Sequence, residues 1–428
     1  MTRQRHPESG TVTRRALAAW CSFDWANSAF PTVITTFVFA AYFTEGVSAD
    51  KAAGTAAWGY AISASAILIA ILSPVLGAIA DHGGRRKPWL FVLTMTCVTA
   101  SAGLWWVEPN AAFVPMALVL VVVANTAFET GMVFYNAMLA DLAPRGRLGR
   151  LSGWAWGLGY FGGLACLVVM LVGFIQNDTP WLGLDKGMAE HVRASGPVVA
   201  LWFAVFSLPL FLWVPDKPKS DKPPTQAIRE GLRALAATAR RIGEFRHIMR
   251  FLVARMFYVD GLNTLFAFGG IYAAGTFGFS FEELIMFGIG MNVTAGFGAA
   301  TFAWADDRFG AKAVIMVAVS GLIVLSVAVL LVESKTLFWA FGLPLGIFVG
   351  PAQAASRSMM ARMAPPEMRT EMFGLFALSG KATAFMGPAL LGWVTVTMGS
   401  QRWGMATILL FFVVGLWLMR GVREPVES

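Results

Sequence analysis

Long apolar blocks separated by short polar ones dominate the chain, and few polar positions fall inside the blocks. About twelve blocks of roughly 18 to 28 residues can be drawn, each long enough to cross a hydrocarbon core of about 30 Å as a helix. In the first half they lie near residues 17–43, 57–80, 88–107, 112–138, 151–175 and 197–214; in the second, near 249–273, 282–304, 312–332, 337–359, 372–396 and 403–420. The stretch between the halves, 215–248, turns polar and basic. Pro218, Pro223 and Pro224 disfavour a helix at its start, whereas Ala227 to Ile242 carries apolar residues at helical spacing with arginines between them. Such an amphipathic helix suits the surface of an anionic leaflet. The pattern predicts an all-α polytopic membrane protein with a tail (1–16), a six-helix bundle (17–214), a linker (215–248), a second six-helix bundle (249–420) and a short tail (421–428).

Composition agrees with that reading. The 428 residues are 57% hydrophobic and 14% charged, against about 25% charged in a soluble domain, and mean hydropathy is +0.63. A formal charge of +8 could suggest nucleic acid, but the basic residues occupy loops on alternate sides of the spans. With the N-terminus inside, 25 Lys and Arg fall on that side and 5 on the other. This bias predicts two cytoplasmic termini and no nucleic-acid partner. Cys21, Cys97 and Cys166 have neither disulfide nor zinc spacing and read as packing residues. The first apolar block lacks a small-residue cleavage site and is expected to stay as a helix.

The halves repeat one plan. Asp24-x-x-Asn27 matches Asp260-x-x-Asn263, Asp81-x-x-Gly84 matches Asp307-x-x-Gly310, and Gly153 matches Gly374, at separations of 236, 226 and 221. Three landmarks in one order indicate a duplicated six-helix unit, and two units that both start inside are parallel repeats about an axis along the membrane normal. Gly153, Gly157, Gly159, Gly162 and Gly163 in the fifth block are spaced to let helix backbones approach closely.

The stretch Gly77-Ala-Ile-Ala-Asp81-His-Gly-Gly84-Arg85-Arg86 resembles the loop motif of the major facilitator superfamily between helices two and three. A weaker copy, Ala303 to Lys312, stands where that superfamily has its second one, with Ala303 for the leading glycine and Ala311 for the first arginine. Phe23-Asp24-Trp25-Ala26-Asn27-Ser28-Ala29-Phe30 is similar to the signature of the branch that bacterial members share with fungal Atg22-like vacuolar effluxers. The resemblance implies a twelve-helix major facilitator fold whose helices one, four, seven and ten line a central cavity.

Ionisable groups within the spans are costly and are candidate functional groups. Asp24, Glu129 and Asp260 are the candidate coupling acids, with a structural hydrogen bond or a gate ion pair as the alternative. Asn27, Asn263, Tyr135, Asn136, Arg357 and Lys381 are candidate cavity residues. Trp25, Asn292, Gln353 and Ser356 could line the cavity or pack between helices. Lys381 is too deep to snorkel easily, so it should either bind an anionic group of the solute or pair with Glu129 or Asp260. Arg255 is close enough to the inner surface to snorkel. Asp81, Arg85, Arg86, Asp307 and Arg308 are expected to latch the inner gate.

Gly-Gly-Arg-Arg-Lys lacks the ending of a phosphate loop, and no metal-ligand spacing occurs, so neither an enzyme nor a cofactor is expected. The expected function is secondary transport of a small polar solute by alternating access, coupled to protons, in the inner membrane of a bacterium. The resemblance suggests an amino-acid-like solute and leaves the direction open. Membrane lipids are the other expected partners, and a monomer is expected. Alternatives are a lipid or amphiphile transporter, which would need a wide cleft between helices five and eight, and a non-transporting receptor or scaffold.

Overall fold

A computed structural model describes residues 12–424; the tail expectations for residues 1–11 and 425–428 lie outside the described residues. Among the described residues, twelve helices are long and apolar enough to span a membrane: α1 Arg14–Val47, α2 Lys51–Gly83, α3 Lys87–Trp106, α4 Ala111–Leu142, α5 Arg145–Ile175, α6 Glu190–Trp213, α7 Gly243–Phe277, α8 Glu282–Phe309, α9 Ala311–Leu331, α10 Lys335–Met363, α11 Pro366–Met398 and α12 Gln401–Arg420. Lipid offers no hydrogen bonds, so an apolar chain must satisfy its backbone internally, and helices do so. Several helices outrun their apolar blocks. The block at 337–359 becomes a helix reaching Met363, because Arg362 past its end is held by Asp306 of α8 in the same bundle.

An even number of crossings leaves residues 12 and 424 on one face, called the terminal face below. Helices α1–α6 and α7–α12 form two bundles that meet along two seams, α2 against α11 and α5 against α8. Both seams depend on missing side chains. A Cβ on Gly77 would stand 2.5 Å from the carbonyl oxygen of Thr370, and one on Gly153 would stand 2.6 Å from that of Ala299. The linker helix, Pro224–Arg240, lies along the terminal end of α2.

Several spans are irregular, among them α1, α5, α10 and α11. In α1 the amides of Val38 and Ser48 reach back five residues to Val33 and Phe43, widening the helix on the cavity side. In α11 the helix stops at Lys381 and resumes at Met386, just before Pro388, which has no amide hydrogen to continue it.

Candidate functional site

A cavity of about 1400 Å³ separates the bundles. Its wall runs from Asp24 and Asn136 to Glu45, Gln176 and Glu282 at the ends of helices away from the termini. It is therefore open on the face opposite the termini and closed toward the terminal face.

The floor is an ion pair between bundles. Arg357 of α10 is fully buried and its guanidinium meets the Asp24 carboxylate of α1 at 2.9 Å. The same guanidinium donates to Ser152 Oγ at 2.9 Å, to the Ser152 carbonyl at 2.7 Å and to Asn136 Oδ1 at 3.4 Å, and the rings of Trp20, Tyr135 and Trp156 surround it. Asn27 Nδ2 donates to the other Asp24 oxygen at 3.3 Å, as two polar residues one helical turn apart can. A charge pair so well provided with hydrogen bonds can be carried in an apolar interior.

Higher in the cavity, Lys381 Nζ of α11 donates to Glu129 Oε1 of α4 at 2.6 Å. Both side chains keep about a quarter of their surface exposed, 26% and 27%, and both line the cavity, so the pair is open to exchange with a solute. Gln353 Oε1 of α10 accepts from Trp156 Nε1 and Tyr160 Oη of α5, each at 3.0 Å, a further link between the bundles.

The terminal face is shut by two reciprocal caps. Asp81 at the end of α2 accepts from the amide of Glu371 at 2.9 Å and from Thr370 Oγ1 at 2.6 Å, at the start of α11. Asp307 at the end of α8 accepts from the amides of Gly149 at 2.8 Å and Arg150 at 3.2 Å, at the start of α5. Each bundle thus supplies a carboxylate to a helix N-terminus of the other, where free amides and the helix dipole favour negative charge. Arginines tie the caps down: Arg86 bonds Thr370 Oγ1, the Ala137 carbonyl and Asp141, Arg369 also pairs with Asp141, and Arg362 pairs with Asp306 at 2.5 Å and Glu424 at 3.1 Å.

A sequence profile described as "Vacuole effluxer Atg22 like" matches residues 50–149 and 144–425. The chain belongs to the Atg22-like vacuole effluxer family. It is 28% identical to an uncharacterized MFS-type transporter, YxiO, of Bacillus subtilis over 96% of this chain and 95% of that one. Autophagy-related protein 22-1 of Phaeosphaeria nodorum is 24% identical, with 80% of this chain and 71% of that protein covered. The fold is that of the proton:xylose symporter XylE (TM-score 0.71, 14% identity, covering 97% and 96% of the two chains) and of FucP in its outward conformation (TM-score 0.73, 14% identity, 96% and 100%). This member of the Atg22-like branch is an MFS transporter, a multi-pass membrane protein with the twelve-helix major facilitator fold.

Of the candidate acids, Asp24 and Glu129 line the cavity and Asp260 does not. Asn27, Asn136, Asn263 and Lys381 line it, as do Asn292, Gln353 and Ser356, whereas Tyr135 and Arg357 lie behind its wall. Tyr135 is fully buried, stacked on Trp20, with its hydroxyl donating to the Trp20 carbonyl. It faces away because its neighbour Asn136 takes the cavity side, and consecutive helical residues point about 100° apart. Trp25 faces α6, stacked on Trp202. Arg255 does not snorkel: it is held by the Phe376 carbonyl and Ser379 Oγ and lies over the Phe376 ring. Two expected latch residues stand outside the latch. Arg85 is exposed with no ion-pair partner among the described residues, and Arg308 is exposed above the Phe309 ring.

Residues missed by sequence reasoning include Ser152, Trp156 and Tyr160 in the cavity floor and Asp141, Asp306, Arg362, Arg369, Thr370 and Glu424 at the terminal face. One signal was available: Asp141 and Arg362 occupy corresponding ends of α4 and α10, and both are charges at the margin of an apolar block.

Proposed function

We propose that the chain is a proton-coupled, alternating-access transporter of a small zwitterionic solute of the amino-acid kind, in the inner membrane of a bacterium. The observation that carries the reading is the Glu129–Lys381 pair, one residue from each bundle, exposed in a cavity that opens on one face alone. A zwitterion brings a carboxylate for Lys381 and an ammonium for Glu129, so it can replace the pair without leaving either charge alone. Protonation of Glu129 would free Lys381 in the same way, which couples a proton to solute binding. Opening the terminal face then requires release of the Asp81 and Asp307 caps, and the bundles rock about the floor where Asp24 meets Arg357. With cytoplasmic termini, the open mouth faces outward.

A lipid or amphiphile cargo would need an open α5–α8 cleft. That seam is instead filled by glycine-mediated contact and by the ring pairs Trp154–Trp304 and Phe161–Phe297, at 5.4 and 5.5 Å. The test is uptake of a panel of labelled amino acids, sugars and amphiphiles into proteoliposomes under a pH gradient. Gradient-driven flux of an amino acid that Glu129→Gln removes supports the reading. Unchanged gradient dependence in Glu129→Gln, or flux of amphiphiles alone, overturns it.

A further inference from the structure

Asp260 differs from its repeat counterpart Asp24 in every contact. Its side chain on α7 is 2% exposed, and neither carboxylate oxygen has a hydrogen-bond partner among the described residues. It lies outside the solute cavity, although Val259 and Asn263 on either side line it. Asn263, the counterpart of Asn27, faces the cavity and leaves Asp260 unbonded.

What Asp260 packs against is the resumed half of α11. A Cβ on Gly387 would stand 2.0 Å from Thr264 Oγ1 and 3.4 Å from the Asp260 carbonyl oxygen, so the two backbones are in close contact, and the Gly387 amide faces the carboxylate outside hydrogen-bond geometry. The break in α11 leaves carbonyls without their regular donors. The Ala384 amide donates to Lys381 instead of Gly380, the Met386 amide to Thr383 instead of Ala382, and Pro388 has no amide hydrogen for Ala384. The break frees the amides of Thr383, Phe385 and Gly387 as well, so an unpartnered buried acid sits beside free acceptors and free donors, of which the Gly387 amide is the one that faces its carboxylate.

Among the described residues, no charged side chain compensates it. On α7 itself Arg255 is engaged with Phe376 and Ser379; on α11 Lys381 is paired with Glu129; on α10 Arg357 is paired with Asp24. The Arg402 guanidinium of α12 donates to the Val332 carbonyl, and on α8 Glu283 and Asp306 are paired with Lys335 and Arg362 near the two ends of that helix. An ionised carboxylate here would be a buried charge with no cation and no donor in bonding geometry among the described residues, a costlier arrangement than the neutral acid.

We infer that Asp260 is a proton-holding site separate from the solute cavity, kept neutral by burial without a cation against the break in α11. The occupant is a proton and no chemistry is involved beyond its gain or loss. The inference rests on the transport reading only for its consequence: an Asp260 without its proton sets a charge against the half of α11 that resumes after Lys381, the residue that holds Glu129.

The experiment needs no flux, so its failure is distinct from failure of the transport reading. Infrared difference spectra of the full chain in lipid nanodiscs, stepped between about pH 5 and about pH 9, should show a protonated carboxylic C=O band that shifts in deuterium oxide and is absent in Asp260→Asn. In parallel, the unfolding temperature of the wild type should fall at high pH, and that fall should be lost in Asp260→Asn. The sign follows from linkage: a proton that the fold holds and the unfolded chain releases makes the fold less stable as pH rises. If Asp260→Asn does not assemble, Asp260→Glu should shift the same band. Retention of the band in Asp260→Asn, or an unshifted band in Asp260→Glu, overturns the inference. So does an unfolding temperature that sodium raises in the wild type and not in Asp260→Asn, which would make this a sodium site.

Discussion

Arg357 and Lys381 are both cations of the second bundle that meet acids of the first, yet they occupy opposite regimes. The Arg357 guanidinium is fully buried among Asp24, Ser152 and three rings, so removing its anion leaves an uncompensated charge. Asp24→Asn should therefore cost about 3–5 kcal/mol of stability. Pairing it with Arg357→Gln should recover part of that loss, read as unfolding temperatures in one detergent. Lys381 faces the cavity with water at hand, so Lys381→Met should leave the fold closer to wild type while raising the solute concentration needed for half-maximal uptake at least tenfold. The same substitution leaving uptake unchanged would remove Lys381 from solute recognition.

At the scale of the helix, the gate is a matter of capping. Asp81 and Asp307 each satisfy amides at the start of a helix in the opposite bundle, and a cap of this kind is worth about 0.5–2 kcal/mol. Asp81→Asn keeps an acceptor but loses the charge, so it should weaken the closed terminal face without unfolding the bundles. Gly77→Leu should act more strongly, since its Cβ would meet the Thr370 carbonyl oxygen at 2.5 Å and force α2 from α11. Thiol labelling reads both: Cys21, Cys97 and Cys166 are buried, so a cysteine placed at Met372, buried at the start of α11 and in neither cap, reports the gate alone. Faster labelling in both variants is expected; equal rates would mean that the caps do not hold the seam.

For the molecule as a whole, the pairs and caps make a two-position device. Among the described residues, every ion pair joining the bundles lies at or below the Glu129–Lys381 level, and none bridges the far side of the cavity. Closing the far side must therefore accompany breaking the near side, and a saturating solute should shift that balance only as far as it binds the two positions differently. Double-cysteine distance measurements across the far rim, between Gly46 and Glu282, should shorten with solute present and should not do so in Glu129→Gln.

Much of this was written along the chain. Block length and hydropathy determine the number of spans, the K/R bias sets the expected orientation, and the spacing of Asp24, Asp81 and Gly153 against Asp260, Asp307 and Gly374 reveals the repeat, because membrane insertion is decided locally, one segment at a time. Partnership was not legible. Asp24 meets Arg357 at a separation of 333 residues and Glu129 meets Lys381 at 252, and nothing in either helix alone says which cation faces which acid. The repeat itself misleads on this point: Asp24 and Asp260 hold corresponding places in the sequence, yet one has an arginine and an asparagine while the other has a broken helix and no partner. Packing of helices distant in sequence separated them, since only the tertiary structure decides what faces a buried charge.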